Sequence, residues 1–305
     1  MPPRIVVVGP LVRDLTVRTD HLPTTDGTAR ATDVVRAAGG KGGNPALTLA
    51  RLGASVCVVG AVGDDECGRA VLHELWDAGV DTDWVRVEGR TAEIVHLVED
   101  GGATRDLELP GCTASYVPDD ALLRDACAGA AVVLVSTAMP EAAVQAAVAR
   151  GRAEEALVVV DGAGPAATTR SVLHGADVVR VDAGEASALV GFAVDGPDAA
   201  ERAALALRDD PFPRVAIVQS GSDGDVVASP AGTLRLPRLP VATEDPTGAG
   251  DAFVSVVALL LSCGTPLSAS ARLGSAAAAH TAGRLGARTA FGGVEELLAL
   301  LGEAA

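Results

Sequence analysis

Asp245-Pro246-Thr247-Gly248-Ala249-Gly250-Asp251 leads directly into Ala252-Phe253-Val254-Ser255-Val256-Val257-Ala258-Leu259-Leu260-Leu261. Pro246 and the glycines bar regular structure before Asp251, and the apolar run after it holds neither Gly nor Pro. A tight loop therefore opens onto the N-terminus of a buried helix. First-turn amide N–H groups have no acceptor inside a helix, and with the positive end of the helix dipole they form a ready site for an anion. The glycines let a phosphate approach that backbone closely. Asp251 stands inside the same site, where a bound phosphate would repel it. It makes chemical sense facing a hydroxyl that loses its proton while attacking phosphorus. Capping the helix also accounts for an acidic residue here, and the loop alone supports both roles.

Composition narrows the partners. Forty acidic residues against 24 basic ones give a formal charge of −16 over 305 residues. Nucleic acids and anionic membranes demand basic surfaces, so neither is expected as a partner. A polyanionic ligand would have to be held locally, by amides and a divalent cation. With only 2% aromatic residues, the core is built from small aliphatics, and base-stacking platforms of the single-strand-binding kind are not expected. Cys57, Cys67, Cys112, Cys127 and Cys263 are odd in number and never spaced as CxxC, which fits reduced thiols better than disulfides or zinc. The start of the chain lacks a signal pattern, and the run at 252–261 falls well short of the about 20 residues of a membrane span. A cytoplasmic protein is expected. Lys41 is the sole lysine, which raises the question of what an arginine could not do there.

Outward from the loop, Arg4-Ile5-Val6-Val7-Val8 before Gly9-Pro10 reads as a strand buried on both faces, as in a parallel sheet. Residues 11–36 carry polar alternation (Leu15-Thr16-Val17-Arg18, Thr32-Asp33-Val34-Val35-Arg36) and suggest a small excursion sheet. Ala38-Gly39-Gly40-Lys41-Gly42-Gly43-Asn44 opens a helix through Leu52, with Gly53 ending it. It is not a P-loop, because Val35 and Gly42 occupy the positions that need Gly and Ser or Thr, and no GxGxxG is present. Lys41 and Asn44 suit hydroxyl recognition instead. Strand Ser55–Val59 and helix Cys67–Ala78 follow, then a hairpin of Glu93–Val98 and Thr104–Leu109 around Asp100-Gly101-Gly102. Helices at Asp119–Ala126, Pro140–Arg150, Ala167–Leu173 and Gly184–Val190 alternate with strands at Val132–Val135, Leu157–Asp161, Val178–Val181 and Val215–Gln219. Helices Gly250–Cys263, Pro266–Ala282 and Val294–Leu301 close the chain.

Strands separated by helices define βαβ units. The expected fold is α/β: a single three-layer α/β/α domain over 1–305, doubly wound around a mostly parallel sheet. A small β-sheet lid is inserted from about 11–36 and 92–114. The ligand should lie in the crevice at the carboxyl ends of the strands.

Further motifs are ambiguous one at a time. Asp14, just past the first strand, could accept hydrogen bonds from vicinal hydroxyls or be an ordinary surface residue. Asp182-Ala183-Gly184-Glu185 could hold magnesium through waters or form a capping box. Gln219-Ser220-Gly221-Ser222-Asp223-Gly224 offers amides and hydroxyls to a phosphate but equally reads as a hairpin turn. The histidines show no metal-ligand spacing and read as structural. Charge runs such as Asp64-Asp65-Glu66 read as solvated loops.

Taken together, Gly39-Gly40-Lys41-Gly42-Gly43-Asn44 and, a couple of hundred residues later, Asp245-Pro246-Thr247-Gly248-Ala249-Gly250-Asp251 resemble the two signatures of the ribokinase-like (PfkB) carbohydrate kinases. The resemblance covers essentially the whole chain. It implies transfer of the γ-phosphoryl group of ATP to a sugar hydroxymethyl, with Mg2+, by a protein that pairs through its lid as a homodimer. It makes Asp251 the base and the amides of Gly248, Ala249 and Gly250 the anion hole. Asp14, Gly40, Lys41 and Asn44 become the sugar site. Asp182 and Glu185 correspond to a magnesium-organising NxxE motif, and Gly221, Ser222 and Gly224 lie near the nucleotide. Asp245 and Thr247, with Thr281 and Gly286, correspond to the monovalent-cation (K+) site of some members.

Departures qualify the substrate. Val12 replaces an Asn that ribokinases carry before the aspartate matching Asp14, Ser136-Thr137-Ala138 replaces a Glu, and Asp182 replaces an Asn. Gly39-Gly40-Lys41-Gly42 still resembles ribokinase more than fructokinase or adenosine kinase, so ribose or a related polyol is the first expectation. A sugar phosphate would need a fixed cation, and Arg13 alternates away from Asp14. A nucleoside kinase of the same fold and a silent sugar-binding protein are the rivals.

Overall fold

The structure, a computed structural model, describes residues 2–100, 103–162, 172–208 and 213–286, with positions 296 and 299. The expected turn at Gly101-Gly102, most of helix 167–173 and nearly all of the terminal helix lie outside the described residues. In chain order the elements are β1 (Arg4–Val8), β2 (Val12–Thr19), β3 (Ala31–Gly39), α1 (Gly40–Arg51), β4 (Ser55–Val62), α2 (Glu66–Asp77), β5 (Val85–Val87), β6 (Ala92–Glu99) and β7 (Thr104–Leu109). They continue with α3 (Asp120–Cys127), β8 (Val132–Ser136), α4 (Glu141–Ala153), β9 (Leu157–Asp161), β10 (Val178–Val181), α5 (Ala183–Val190) and α6 (Pro197–Arg208). The last are β11 (Val215–Gln219), β12 (Asp225–Ser229), β13 (Gly232–Leu236), α7 (Ala249–Ser262) and α8 (Leu267–Ala282).

Nine strands form the main sheet in the order β13-β12-β11-β10-β9-β8-β1-β4-β5. It is parallel from β5 to β11, and the last two strands add antiparallel. Both faces are covered, as the alternation of β1 shows. Ile5 and Val7 pack with α1, α2 and α7 residues such as Leu49, Leu75 and Phe253. Val6 and Val8 pack on the other face with α3, α4 and α6 residues such as Leu123, Val144 and Ala203. Strands buried on both faces need continuous β-branched runs, which is what the sequence supplies. Phe253 is 1% exposed at the middle of this core, and truncating such a side chain to Ala costs about 3–5 kcal/mol.

A second sheet, of order β3-β2-β6-β7, stands apart from the first. In it β2 pairs antiparallel with β3 and parallel with β6, and β6 and β7 form a hairpin. Its inner strands β2 and β6 alternate buried with half-buried positions, as in a sheet with one covered face, while the outer strands β3 and β7 are exposed over most of their length.

Several details differ from the sequence expectations. Helix α6, strand β5 and the β12–β13 hairpin were not foreseen; α6 is an Ala-rich helix that buries Ala199, Ala200, Ala203, Ala204 and Leu207 along one face. Asp65 is not a solvated loop charge. It caps α2 by accepting from Gly68 N at 2.8 Å, and it also accepts from Thr91 N and Oγ1 at 2.8 and 2.6 Å. That carboxylate ties α2 to the segment leading into β6.

Candidate active site

Asp251 is the third residue of α7, whose cap Gly248 has φ +76, a backbone state that glycine adopts at no steric cost. Ala249 N–H folds back onto Pro246 O at 3.2 Å, while Gly250 and Asp251 carry first-turn amides that have no acceptor within the helix. The Asp251 carboxylate is 6% exposed. Its oxygens accept from Asn44 Nδ2 at 2.9 Å and Lys41 Nζ at 3.3 Å. The two motifs read from the sequence thus meet through their side chains.

The glycines of α1's first turn explain how. A Cβ on Gly39 would lie 1.8 Å from Asp14 Oδ2, so the absent side chain is the space the Asp14 carboxylate fills. Gly40 has φ +77, and a Cβ on it would meet Pro10 O at 2.6 Å. The loop after β1 can therefore press on α1 and deliver Lys41 and Asn44 to Asp251.

Lys41 Nζ also donates to Asp161 Oδ2 at 2.8 Å, and Asp161 Oδ1 accepts from Arg180 Nη1 at 3.3 Å. Desolvation works against all these charges. Even so, Asp161 and then Asp251 hold the Lys41 ammonium above its ordinary pKa, and Lys41 and then Arg180 hold the Asp161 carboxyl below its own. The Arg180 guanidinium lies on the Cα of Gly250, where a Cβ would come within 2.6 Å of Nη1. Sequence reading missed Asp161 and Arg180. The signals were present: a carboxylate closing an otherwise apolar strand, and an arginine inside Val178-Val179-Arg180-Val181. Both sit at carboxyl ends of parallel strands, where doubly wound sheets place ligands.

A cavity of about 340 Å³ opens beside this network. Polar groups of Lys41, Arg180 and Asp182 line it together with Gly248, Gly250 and Asp251. So do the apolar side chains of Leu239, Val241, Ala278, Ala279 and Ala282. A polar lining joined to an aliphatic slot suits a phosphorylated ligand with a flat apolar base. Gly221 and Gly224 line it too, from the 3-10 turn Gly221–Asp223 between β11 and β12; that turn also closes a hairpin. The Ser222 side chain lies outside the described residues. Asp225, next to the turn, is pushed up to about 6 by burial, against the pull of Arg180.

Asp182 and Glu185 form a full capping box on α5: Asp182 Oδ1 accepts from Glu185 N, and Glu185 Oε2 from Asp182 N, each at 2.8 Å. Asp245 is completely buried, and its oxygens accept from Thr247 N at 2.9 Å and Gly286 N at 2.8 Å. Gly286 in turn abuts Val35 and Thr16 of the second sheet, and Thr281 Oγ1 donates to Ala277 O at 2.9 Å within α8.

On the other side of Asp251 lies a different cluster. Asp14 is 4% exposed, with its carboxylate seated over Gly39. Asp14 Oδ1 faces His96 Nε2 at 3.6 Å, an ion pair too long to be a hydrogen bond. His96 Nδ1 bonds Asp106 Oδ1 at 2.8 Å. Burial disfavours the imidazolium, but Asp14 and Asp106 together raise its pKa to about 9. Burial is also the main influence on Asp14, whose carboxyl is shifted upward. Nothing in the spacing of the histidines singled out His96; the signal was its place in the polar hairpin.

A buried carboxylate at a glycine-capped helix N-terminus, reached by a lysine and an asparagine from the start of α1, defines a phosphotransferase with an alcohol acceptor on a ribokinase-like fold. The chain belongs to the pfkB family of carbohydrate kinases, whose model matches residues 2–291. It is 33% identical over 298 residues to the ATP-dependent ribose-1-phosphate kinase of Halopiger xanaduensis, covering 94% of each chain. It is 29% identical over 299 residues to the ribokinase of Bacillus subtilis, covering 96% of this chain and 99% of that one. The structure of Arabidopsis thaliana ribokinase complexed with ribose and ATP superposes with a TM-score of 0.84 at 25% identity, over 99% of both chains. Among the described residues no helix is long and apolar enough to cross a membrane.

Proposed function

We propose that the protein transfers the γ-phosphoryl group of ATP to the hydroxymethyl of a free pentose, ribose first, with Asp251 as the base. The observation that carries this is the placement of Asp251: buried, at a helix N-terminus, and fixed by Asn44 and Lys41 beside the cavity. ATP would lie in the cavity, with its base against Leu239, Val241 and the α8 alanines and its phosphates at the Gly250 and Asp251 amides. The acceptor hydroxyl then meets phosphorus in line, and Asp251 takes the proton as the bond forms. Lys41 and Arg180 stand where charge gathers on the transferring group. The sugar's other hydroxyls go to Asp14, the Gly40 backbone and Asn44.

Magnesium would enter with ATP and neutralise phosphate charge. Asp182 fits that role, since it lines the cavity and keeps an oxygen outside the capping box for a hydrated, oxygen-preferring cation. Asp245 spends its oxygens on amides, so potassium beside it would draw on the surrounding loop from Thr247 to Gly286 and on Thr281. The second sheet would act as a lid that excludes water during transfer. Val34 and Leu107, 43% and 59% exposed on its outer strands, would pair two lids in a homodimer. All five cysteines are free, which supports a cytoplasmic setting.

The kinship with a ribose-1-phosphate kinase favours a second reading, a sugar 1-phosphate as acceptor. Local charge speaks against it. Among the described residues, the cation beside Asp14 is His96, already faced by two carboxylates, and Arg13 is paired with Glu74. An added phosphate there would meet net negative charge. ATP-consumption assays with ribose, ribose 1-phosphate, adenosine, inosine and pseudouridine decide: turnover on ribose is expected, and turnover confined to the phosphate or to nucleosides overturns the reading.

A further inference from the structure

Two buried polar atoms of opposite character face each other across a gap. Asp14 Oδ1 accepts no hydrogen bond and His96 Nε2 makes none, although they are 3.6 Å apart and their side chains are each 6% exposed. Buried polar atoms are ordinarily paired, and a closer approach would pair these two. The surroundings hold them apart instead. Asp14 is seated on Gly39. His96 is anchored at Nδ1 by Asp106 on the neighbouring strand. In register, His96 sits opposite Thr16, one step along the same face of β2 from Asp14, so the pair is diagonal on the face turned toward Asp251. Both atoms are closed off from solvent, so an outside oxygen reaches them only when the second sheet shifts from the core, and a hydroxyl is the group that can then donate to one partner while accepting from the other.

Resting on the sugar-kinase reading above, we propose that Asp14 and His96 together read a single ring hydroxyl of the substrate, Asp14 Oδ1 accepting its proton and His96 Nε2–H donating to its oxygen. This makes His96 a specificity-determining residue and Asp106 the group that orients it. A site built around a hydroxyl rejects the analogue lacking it far more strongly than a pocket rejects a missing methylene, by up to about 10⁴–10⁵-fold, because two buried groups are then left unpaired. The reader is tuned to a neutral polyhydroxyl compound. An aldose and its epimer or deoxy analogue at that carbon should differ sharply.

The test is kcat/KM of wild type, His96→Leu and His96→Gln on ribose, 2-deoxyribose and 3-deoxyribose, with melting curves to show that the variants fold. Wild type should disfavour one deoxy sugar by at least about 10²-fold. For that sugar the ratio to ribose should collapse toward unity in His96→Leu, through loss of about 10–10²-fold on ribose and little change on the deoxy sugar. A histidine that only neutralises Asp14 would lower all three sugars alike and leave the ratio unchanged in both variants, which overturns the proposal. Should His96→Leu fail to fold, the same ratio read on His96→Gln decides. A wild type inactive on every free sugar sinks the sugar-kinase reading and this one with it. Activity on ribose with an unchanged ratio sinks only this one.

Discussion

The two sides of Asp251 are built differently. Toward the cavity, Lys41, Asp161 and Arg180 form a chain of ion pairs mounted on α1 and the ends of β9 and β10, all of them core elements. Toward the second sheet, Asp14, His96 and Asp106 ride on β2, β6 and β7, and two of their atoms are unmet. Phosphoryl transfer gains from charges fixed before the reaction begins, so a rigid frame suits the first group. Substrate choice gains from groups that are satisfied only when the right ligand arrives, so a separate sheet with unmet atoms suits the second. Variants of Arg180 should change turnover at nearly constant sugar affinity, variants of His96 should do the reverse, and Lys41, which touches Asp251, stands between them.

Asp251 belongs to both sides and should show the largest effect. Asp251→Asn is expected to keep fold and ATP binding while kcat falls about 10²–10⁴-fold, the usual share of a general base. An asparagine caps a helix about as well as an aspartate, so kcat and melting temperature of the purified variant separate catalysis from capping. Near-normal turnover would remove Asp251 as the base.

Arg180→Met is expected next in size. It takes away the guanidinium lying on Gly250 while Lys41 still pairs Asp161, and kcat should drop about 10²-fold, as when one preorganised donor to a developing charge is lost. Sugar KM should stay within about threefold. If instead sugar KM rises and kcat holds, the division between the two sides is wrong.

The main sheet was legible because strands covered on both faces leave unbroken β-branched runs such as Ile5–Val8. The helix after Asp251 was legible because glycine and proline bracket an apolar stretch. What escaped was what depends on packing. Asp161, Arg180 and His96 are far apart in sequence and carry no motif; they become one site only when β9, β10 and β6 are brought around α1 and α7. Helix α6 escaped because alanine serves a buried stripe and an exposed one alike. Asp182-Ala183-Gly184-Glu185 remained a choice between cap and ligand, and the folded chain shows the cap without removing Asp182 from the cavity.

Lys41→Arg tests the border between the two sides. The ammonium sits between Asp161 at 2.8 Å and Asp251 at 3.3 Å, among glycines whose missing side chains make the room. A guanidinium keeps the charge but is a wider, planar fork. It should push on Asp251 and raise sugar KM and lower kcat together, each by about tenfold. If both parameters of the variant stay at wild-type values, Lys41 is a spectator to both substrates.

The smallest effect is the one that isolates the sugar-reading cluster. His96 carries its proton up to about pH 9, against an ordinary value of 6.5, because Asp14 on β2 and Asp106 on β7 both face it. Its folded pKa is raised, so its contribution to stability is complete below about pH 6.5 and is lost as pH climbs through about 9. The same titration should act on sugar binding. Once the proton leaves, Asp106 keeps Nδ1–H as its partner, and Nε2 becomes a lone pair that can no longer donate to a hydroxyl and faces the Asp14 carboxylate. Sugar KM should therefore be flat near neutrality and rise above about pH 9, by about tenfold for each further pH unit. The cavity side should not share this limb: Lys41 is held protonated throughout by Asp161 and Asp251, and Asp225, at about 6, has already titrated. Turnover at saturating sugar, measured over the same range, serves as the internal control. The alkaline rise in KM should vanish in His96→Gln, and a rise that persists in that variant would assign it to another group.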